Sequence, residues 1–510
     1  MAFFGTNSDD TVTFAGGVLT NAPAGVPLAI INVGAPSALL IETEDGSDSI
    51  SVTPQANLSI QVAGDAPSAG SDTLTFNGTG AAITVNLATS TISQVGSGPV
   101  AYSGIEHVVI NGANQQVTFL GGASDDAFDV TPVDADSADL SLAGLATTFR
   151  IDTASGLTLN GGGGSNSVEF TATEAPDTIA VSGTAVNLTG RLGVNLASIQ
   201  GLTVWGLSGA DTFNVTPSLT TSILIDGGPP IASLPGDTMN LIGVNTATFN
   251  AGPENDEGSF DTNLGTVSFD HLESIGPLTL PGGATVNGTN GADAITVIAR
   301  DASTHAGANG VNDFTVSVND NIELYFLDTP SLIVNALGGS DEIAVQTPAP
   351  NGAVWNTNLT INGGLPTASD KVIFGTPGAQ VDNVVYTPTG ADSGTLNITN
   401  LNSLTTLNQI EHLVYDGEGG QDTITVNTLA VAVASTIVLT PAATVDSGEV
   451  AVDSRLPLQF TNLGVTASVT INDPNAGDGD VLIYNGTGAS DVFSVPDSGP
   501  GRGCRAIDWS

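Results

Sequence analysis

The sequence predicts an all-β protein, built as a parallel β-solenoid or β-helix from irregular repeats. Short alternating segments bounded by Gly, Asn, Asp and Pro occur throughout the chain, whereas helical periodicity is nearly absent. A glycine-rich turn carrying one aspartate also recurs from one end to the other, each time followed by an alternating strand. The clearest copy, W-G-L-S-G-A-D-T-F-N-V-T-P, spans residues 205–217 and places Phe213 and Val215 on one face of its strand.

These turns are of three kinds. The first kind, of the form G-T-N-G-A-D-A-I-T-V, lies at Asp10, Asp177, Asp293, Asp382 and Asp491, with a degenerate copy in which Ala81 replaces the aspartate. The second kind lies at Asp48, Asp126, Asp211, Asp341 and Asp422. The third kind lies at Asp72, Asn166, Asp237, Asp370 and Asp480. A further matching segment, S-G-I-E-H-V-V-I-N-G at 103–112 and N-Q-I-E-H-L-V-Y-D-G at 408–417, predicts a short strand that ends in glycine.

The three kinds follow one another in the same order about five times, with rounds roughly 70 to 115 residues apart. Residues 1–495 are therefore expected to form one continuous repeat array that is cut at both ends, so that the true termini lie elsewhere. Residues 496–510 contain the only cysteine, Cys504, and depart from the repeat pattern. This tail is expected to be disordered or not native.

Tandem β-sandwich domains of roughly 100 residues each are the alternative architecture. The uneven length of the rounds favours the solenoid, because insertions can leave a solenoid as loops while a sandwich would lose strands. The low aromatic content of 5% also favours a core of stacked aliphatic side chains.

The composition limits the partners and the location of the protein. Formal net charge is −45, from 52 acidic residues and 7 Lys plus Arg, so we expect neither nucleic acid nor a membrane as a partner. The apolar content of 40% suffices for a core. No apolar run is long enough for a membrane span, and the N-terminus lacks the features of a signal peptide. If the protein is exported, its signal sequence is not in this chain.

Several turns resemble the nonapeptide G-G-x-G-x-D-x-U-x of haemolysin-type (RTX) calcium-binding proteins. Gly206, Gly209, Asp211 and Phe213 occupy its first, fourth, sixth and eighth positions, and the turns at Asp126, Asp293 and Asp422 match similarly. The resemblance implies Ca²⁺ as a cofactor, because hard cations prefer oxygen ligands. The metal ligands that it suggests are Asp126, Asp211, Asp293, Asp341, Asp422 and Asp491.

A second interpretation of these turns is purely structural. The turns stand roughly 25 to 60 residues apart instead of in tandem, and one turn supplies too few oxygens for Ca²⁺. Each aspartate would instead cap its own turn by accepting a backbone N–H two residues on, with glycine supplying a positive φ. Both interpretations remain open at this point.

The chain up to about residue 495 is also similar to giant repetitive surface and adhesin-like proteins of bacteria. This similarity implies an extracellular or cell-surface protein with a structural or adhesive role, acting as a stiff β-rod or filament subunit. Its expected partners are further copies of itself, head to tail, or other surface components, including carbohydrate.

The alternative is a carbohydrate-active β-helix enzyme, a polysaccharide lyase or hydrolase. Asp134 and Asp136 share a face by period-two spacing, and Glu254, Asp256 and Glu257 form a second acidic group. Neither group has a neighbouring basic residue, so the sequence predicts a protein that is not an enzyme. His107 and His412 occupy equivalent strand ends and are predicted to lie on the surface.

Overall fold

The computed structural model describes residues 1–22, 29–32, 37–65, 71–231, 234–300, 312–347, 355–365, 369–376, 380–399, 404–429, 433–474, 479–486 and 507–508. The chain groups into two compact units. The first comprises Met1–Ile242 and Leu264–Leu272, and the second comprises Gly243–Asn263 and Glu273–Ser510. Most of the predicted tail at 496–510 lies outside the described residues, as does Asp491.

Strands dominate the described residues, and a short 3₁₀ turn, Leu87–Thr89, is the only helical element among them. The all-β prediction is therefore confirmed. The first twenty-three strands are β1 Ala2–Phe4, β2 Thr11–Ala15, β3 Val18–Asn21, β4 Ala29–Asn32, β5 Ala38–Glu42, β6 Ser49–Val52, β7 Ser59–Ala63, β8 Thr73–Asn77, β9 Ile83–Asn86, β10 Thr91–Gln94, β11 Val100–Ser103, β12 His107–Leu120, β13 Ala127–Asp134, β14 Ser137–Leu142, β15 Thr148–Asn160, β16 Ser167–Thr171, β17 Thr178–Ser182, β18 Ala185–Leu188, β19 Val194–Ala197, β20 Gly201–Trp205, β21 Thr212–Thr216, β22 Ser222–Asp226 and β23 Thr238–Leu241.

The remaining strands belong to the second unit, except for β26, which belongs to the first. They are β24 Ala247–Ala251, β25 Gly258–Thr262, β26 Gly265–Asp270, β27 Ser274–Ile275, β28 Leu278–Thr279, β29 Ala284–Asn287, β30 Ala294–Ala299, β31 Phe314–Val318, β32 Leu324–Leu327, β33 Ser331–Asn335, β34 Glu342–Gln346, β35 Asn358–Asn362, β36 Lys371–Gly375, β37 Asn383–Gly390, β38 Ser393–Ile398, β39 Thr405–Asn408, β40 His412–Asp416, β41 Thr423–Asn427, β42 Thr436–Pro441, β43 Gly448–Val452, β44 Leu458–Thr461, β45 Ser468–Asn472, β46 Val481–Tyr484 and β47 Ile507–Asp508.

Alternation along each strand sets the core. In β21, Phe213 and Val215 are fully buried while Asn214 between them is partly exposed, as the sequence predicts. The same alternation of apolar and polar positions recurs in most strands of both units, so each sheet has one face on a Val, Ile, Leu and Phe core. Aromatic rings contribute more to this core than expected. Phe119 and Phe149, for example, meet edge to face with centroids 5.0 Å apart.

Parallel stacks organise the first unit. Strands pair in parallel in the series β1–β5–β7–β11, β2–β6–β8–β12, β13–β16–β20–β22–β26 and β17–β21–β23. The long strands β12 and β15 pair in parallel on both sides of a bulge between Asn111 and Gln116. The second half of β12 also pairs in parallel with β9, and the second half of β15 with β19.

The second unit repeats this organisation. Its parallel series are β24–β29–β33–β35–β39, β30–β34–β36–β40–β44, β37–β41–β45 and β42–β46. Such parallel pairing is expected of a repeat array, because each crossover brings the next strand beside the previous one in the same direction.

Antiparallel strands account for the uneven repeat length. Asp48 and Asp72 are 24 residues apart and are joined by a single crossover between parallel strands. Asp10 and Asp48 are 38 residues apart, because the chain between them also forms the antiparallel strands β3 and β4. Equivalent three-stranded antiparallel segments are β9–β10–β11, β13–β14–β15, β17–β18–β19, β30–β31–β32, β37–β38–β39 and β42–β43–β44. The insertions are therefore paired strands, which satisfy their own backbone groups, and not the loops that the sequence predicted.

An asparagine ladder runs along one stack of the second unit. Asn250, Asn287, Asn335, Asn362 and Asn408 occupy matching positions on β24, β29, β33, β35 and β39. Each side-chain amide after that of Asn250 donates to the side-chain oxygen of the preceding member, at 2.7 to 2.8 Å. Such a chain of amides satisfies donors and acceptors together and fixes the register of the stack.

Candidate functional site

The aspartate ladders are the feature that the recurring turns build. In each ladder, the residue immediately before one strand donates its backbone N–H to a side-chain oxygen of the residue before the next parallel strand. Asp10 donates to Asp48 at 2.7 Å, Asp48 to Asp72 at 2.7 Å, and Asp72 to Glu106 at 3.0 Å. These residues precede β2, β6, β8 and β12, so the ladder follows one stack from strand to strand.

Four other series of turns form ladders in the same way. Three of them lie in the order Asp126, Asn166, Gln200; Asp177, Asp211, Asp237; and Asp293, Asp341, Asp370, Glu411. A shorter one joins Asp382 to Asp422 at 2.8 Å. In the ladders that begin at Asp10 and Asp293, the three kinds of turn are the first, second and third rungs, and the I-E segment supplies a fourth. The Asp126 ladder begins at the second kind of turn and ends on the I-Q segment.

The first rung has a cap of its own, because no strand precedes it in its ladder. Thr289, four residues before Asp293, donates its backbone N–H and its hydroxyl to the carboxylate, at 2.7 and 2.9 Å. Asn319, immediately after the antiparallel strand β31, also donates to this carboxylate. Thr6 and Asn21 surround Asp10 similarly. The threonine of G-T-N-G-A-D therefore satisfies the carboxylate at which the ladder begins.

The degenerate turn at Ala81 retains this arrangement through a different residue. The side chain of Gln94, which is 3% exposed, reaches from β10 and accepts the Thr79 N–H at 3.1 Å and the Thr79 hydroxyl at 2.8 Å. Its amide nitrogen donates to the Ala81 carbonyl at 2.9 Å. Gln94 thus replaces the missing aspartate as the acceptor for the cap threonine. The sequence shows the loss at Ala81 but not the distant residue that compensates for it.

Glycine lies against the ladder carboxylates because no side chain would fit there. A Cβ on Gly206 would lie 2.7 Å from Asp211 Oδ2 and 2.5 Å from the Gly227 carbonyl oxygen. Gly5, Gly64, Gly121, Gly288, Gly363 and Gly417 have the same relation to Asp10, Asp72, Asp126, Asp293, Asp370 and Asp422. The glycine that directly follows the preceding strand, such as Gly206 after β20, is therefore required for the close approach of the carboxylate. Gly209, two residues before Asp211, has a different role and supplies the positive φ of 151°.

Burial changes the protonation of the inner rungs. It raises the pKa of Asp211 to about 7 and the pKa values of Asp72, Asp341 and Asp422 to about 6, the neighbouring ladder carboxylates adding to the effect. The N–H bond from the preceding rung acts in the opposite direction and is outweighed. One oxygen of each of these carboxylates is buried without a hydrogen-bond partner, which favours the protonated form.

The six predicted metal ligands do not form one cluster in the structure. Asp126, Asp211, Asp293, Asp341 and Asp422 are rungs of four different ladders, and Asp491 lies outside the described residues. Asp211, Asp341 and Asp422 are at most 1% exposed. Their carboxylates accept the N–H of the preceding rung, up to 48 residues earlier, instead of the N–H two residues on that the sequence suggested.

Two departures from the predicted rounds concern the ends of ladders. The order of the turns in the sequence groups Asp480 with Asp382 and Asp422, but its carboxylate accepts the N–H of Ser435 at 2.6 Å, in the separate stack β42–β46. Asp422 donates its own N–H to the carbonyl of Leu463 at 2.8 Å. The fourth rungs Glu106, Gln200 and Glu411 were seen in the sequence only as parts of a repeated strand.

The acidic groups considered for catalysis lie at exposed hairpin turns. Asp134 and Asp136 flank the turn between β13 and β14, where the Ser137 hydroxyl donates to Asp134 at 2.6 Å. This bond lowers the pKa of Asp134, and the hydrogen bond to Asp134 raises that of Asp136. Glu254 donates its N–H to Glu257 at 2.9 Å in the turn between β24 and β25. His107 and His412 are exposed, as predicted.

No helix of the described residues has the length and apolar character needed to cross a membrane. No protein-family model matches the sequence, and no curated protein is significantly similar to it, so the ladders and stacks themselves are the basis for any functional assignment.

Proposed function

We propose that this chain is an extracellular structural or adhesive repeat protein, in which the stacks form a β-solenoid and the turns serve the stacking. The observation that best supports the proposal is that the recurring aspartates hold neighbouring strands together. Their carboxylates are buried within the stacks and accept backbone N–H groups from neighbouring rungs. Repeated polar groups used in this way hold coils in register and leave the outer faces free to vary.

The composition supports a location outside the cell, on a bacterial surface. A net charge of −45 keeps a large array soluble and discourages sideways association, and the chain has only seven Lys plus Arg residues. The proposed partners are further copies of the chain, joined head to tail through strand edges, other surface components, and carbohydrate. A cleft of about 300 Å³ on β12 to β15 includes Asp129 of β13, Asp139 of β14 and Arg150 of β15, and these charged side chains could contact the hydroxyl groups of a glycan.

Weak binding of Ca²⁺ at the Gly/Asp turns forms part of the proposal. The inner carboxylates are buried in ladders, so an ion would be held by exposed neighbours together with turn carbonyls. Asp9 and Asp125 are examples, in which one carboxylate oxygen accepts the N–H of Ser47 or Ser165. A ligand that binds only the folded state raises the melting temperature. We therefore expect a small rise at millimolar Ca²⁺, and an unchanged melting temperature would restrict the aspartates to their ladder role.

A panel of acidic and neutral polysaccharides distinguishes the adhesive role from the enzymatic one. The adhesive proposal predicts that the purified chain is retained on at least one polysaccharide that it does not shorten. New reducing ends or unsaturated products would instead establish a carbohydrate-active enzyme. The adjacent Asp134 and Asp136, whose pKa values are shifted in opposite directions, are the specific observation in favour of that second candidate. If the protein is an enzyme, Asp134→Ala and Asp136→Ala would abolish product formation. If it is adhesive, the same variants would leave retention on the polysaccharide unchanged.

A further inference from the structure

Asp226, Asp270 and His271 meet on the outer surface of the first unit. Asp226 ends β22 and Asp270 ends β26, and the two are direct register partners in a parallel pair. Their neighbours Ile225 and Phe269 are buried in the core, so period two directs both carboxylates outward on the same face. Their proximity is not visible in the sequence, because Asp226 lies 44 to 45 positions before the other two residues.

The chain turns sharply at His271, which places the imidazole ring beside the ends of β22 and β26. His271 has a left-handed backbone with φ of 53°, and its Nδ1 lies 3.0 Å from Asp226 Oδ1 and 3.7 Å from Asp270 Oδ1. Its backbone N–H donates to Asp270 Oδ1 at 2.9 Å. Gly227 lies below the His271 carbonyl oxygen, where a Cβ would clash. The backbone therefore holds one imidazole nitrogen and two carboxylates in a fixed arrangement.

From this geometry we infer a binding site for a first-row transition-metal ion, with Zn²⁺ as its representative. The three ligand atoms lie within 4.8 Å of one another. In a tetrahedral zinc site with bonds of about 2.0 to 2.1 Å, ligand atoms are about 3.3 Å apart, and the two distances from Nδ1 lie on either side of that value. One nitrogen and two oxygens leave at least one position for water.

The nature of the ligands and their charge support this class of ion. Imidazole is a ligand of Zn²⁺, Cu²⁺ and Ni²⁺, whereas Ca²⁺ and Mg²⁺ take oxygen. Within the described part of the chain, the ion pairs of Lys and Arg involve carboxylates other than Asp226 and Asp270. The exposed fractions of the side chains are 14% for Asp226, 37% for Asp270 and 32% for His271, which allows an ion to enter. The site is separate from the aspartate ladders and does not depend on the proposed function.

Cobalt substitution tests the assignment on the full chain. We expect one equivalent of Co²⁺ to produce the visible absorption of a low-coordinate site, Zn²⁺ to abolish it, and excess Ca²⁺ to leave it unchanged. His271→Asn should abolish the band, since asparagine tolerates the left-handed backbone but removes the nitrogen ligand. His107→Asn is the matched control, because His107 is also exposed but its Nδ1 contacts the Thr148 hydroxyl at 2.8 Å and no carboxylate.

Three results would contradict the metal site. The inference is overturned if the wild-type chain gives no Co²⁺ band, if Ca²⁺ displaces the ion as readily as Zn²⁺ does, or if the band survives in both His271→Asn and Asp226→Asn. Circular dichroism of each variant establishes that the strands are retained. Should His271→Asn fail to fold, Asp226→Asn and Asp270→Asn, which keep the backbone and the side-chain size, provide the same comparison.

Discussion

Asp211 donates its backbone N–H to a carboxylate oxygen of Asp237, 26 residues later, at a distance of 2.6 Å, while its own carboxylate accepts the N–H of Asp177 at 2.7 Å. One residue is thus both donor and acceptor in a chain that crosses three parallel strands. Because aspartate performs both tasks at every inner rung except Asn166, the repeated aspartate is explained by the periodicity of the stack. This relationship leads to four predictions.

Gly206→Ala should destabilise the first unit. The new Cβ would meet the Gly227 carbonyl, the Asp211 carboxylate and the ring of Phe213, all within 3 Å. Such overpacking costs about 1–3 kcal/mol, measured as a decrease in the free energy of unfolding in urea. Gly201→Ala is the control, since its Cβ would have its nearest contact at 3.6 Å, from Ser167. Equal stability of the two variants would show that the carboxylate does not need this glycine.

Asp341→Ala should destabilise the second unit more than Asp341→Asn does. Alanine leaves the buried N–H of Asp293 without its acceptor, which costs about 1–3 kcal/mol. Asparagine keeps an acceptor oxygen, as Asn166 does naturally at a third rung. Urea denaturation measures both. The neighbouring Glu342→Ala removes only an exposed contact with Lys371 and should change the stability little. A loss for Asp341→Asn as large as that for alanine would contradict the ladder.

The fold should become less stable as pH rises from about 4 to about 7. Burial raises the pKa of Asp211 to about 7 and those of Asp72, Asp341 and Asp422 to about 6, whereas an unfolded carboxyl has a pKa of about 3.9. The folded chain therefore binds more protons between about pH 4 and 7, and this stabilisation is lost as each carboxyl ionises.

Melting temperatures measured across this pH range test the effect of a single rung. Asp211→Asn should make the decrease with pH shallower, because asparagine does not ionise. Asp45→Asn, at an exposed turn, should leave the decrease as steep as in the wild-type chain. Identical pH profiles for the wild type and Asp211→Asn would refute the assignment of this titration to the ladder.

Gln94→Ala should destabilise the turn at Ala81. The Thr79 N–H and hydroxyl would lose their shared acceptor, and the Ala81 carbonyl would lose its donor. We expect a loss of about 1–3 kcal/mol in urea denaturation. Gln61→Ala, at an outward-facing position of β7, is the matched control and should have little effect. If both glutamine variants have the same stability, Gln94 does not substitute for the missing aspartate.

Much of this fold can be predicted from residues that are close together in sequence. Alternation identifies strands such as β21, and the Gly/Asp pattern identifies the turns that precede them. The order of the three kinds of turn corresponds to the order of rungs along a ladder. These features depend on local periodicity and turn chemistry, which a single sequence displays directly.

Contacts between distant residues could not be predicted in the same way. The partner of Asp293 is Asp341, 48 residues away, and an antiparallel segment of unpredictable length lies between them. Gln94 compensates for Ala81 from another strand, and Asp226 meets His271 only because two strands align in register. The sequence therefore suggested local caps and calcium ligands, since it contained the residue types but not the pairing.

The capped first rung has a consequence for how such a protein can change over generations. A ladder that begins on a threonine-satisfied aspartate and ends on Glu106 or Glu411 is complete in itself. The ladder of Asp126, Asn166 and Gln200 has lost its first rung, and the Gly122 N–H occupies the Asp126 carboxylate instead. Duplication or deletion of a whole round by recombination would therefore leave the backbone N–H groups of the neighbouring ladder with their acceptors.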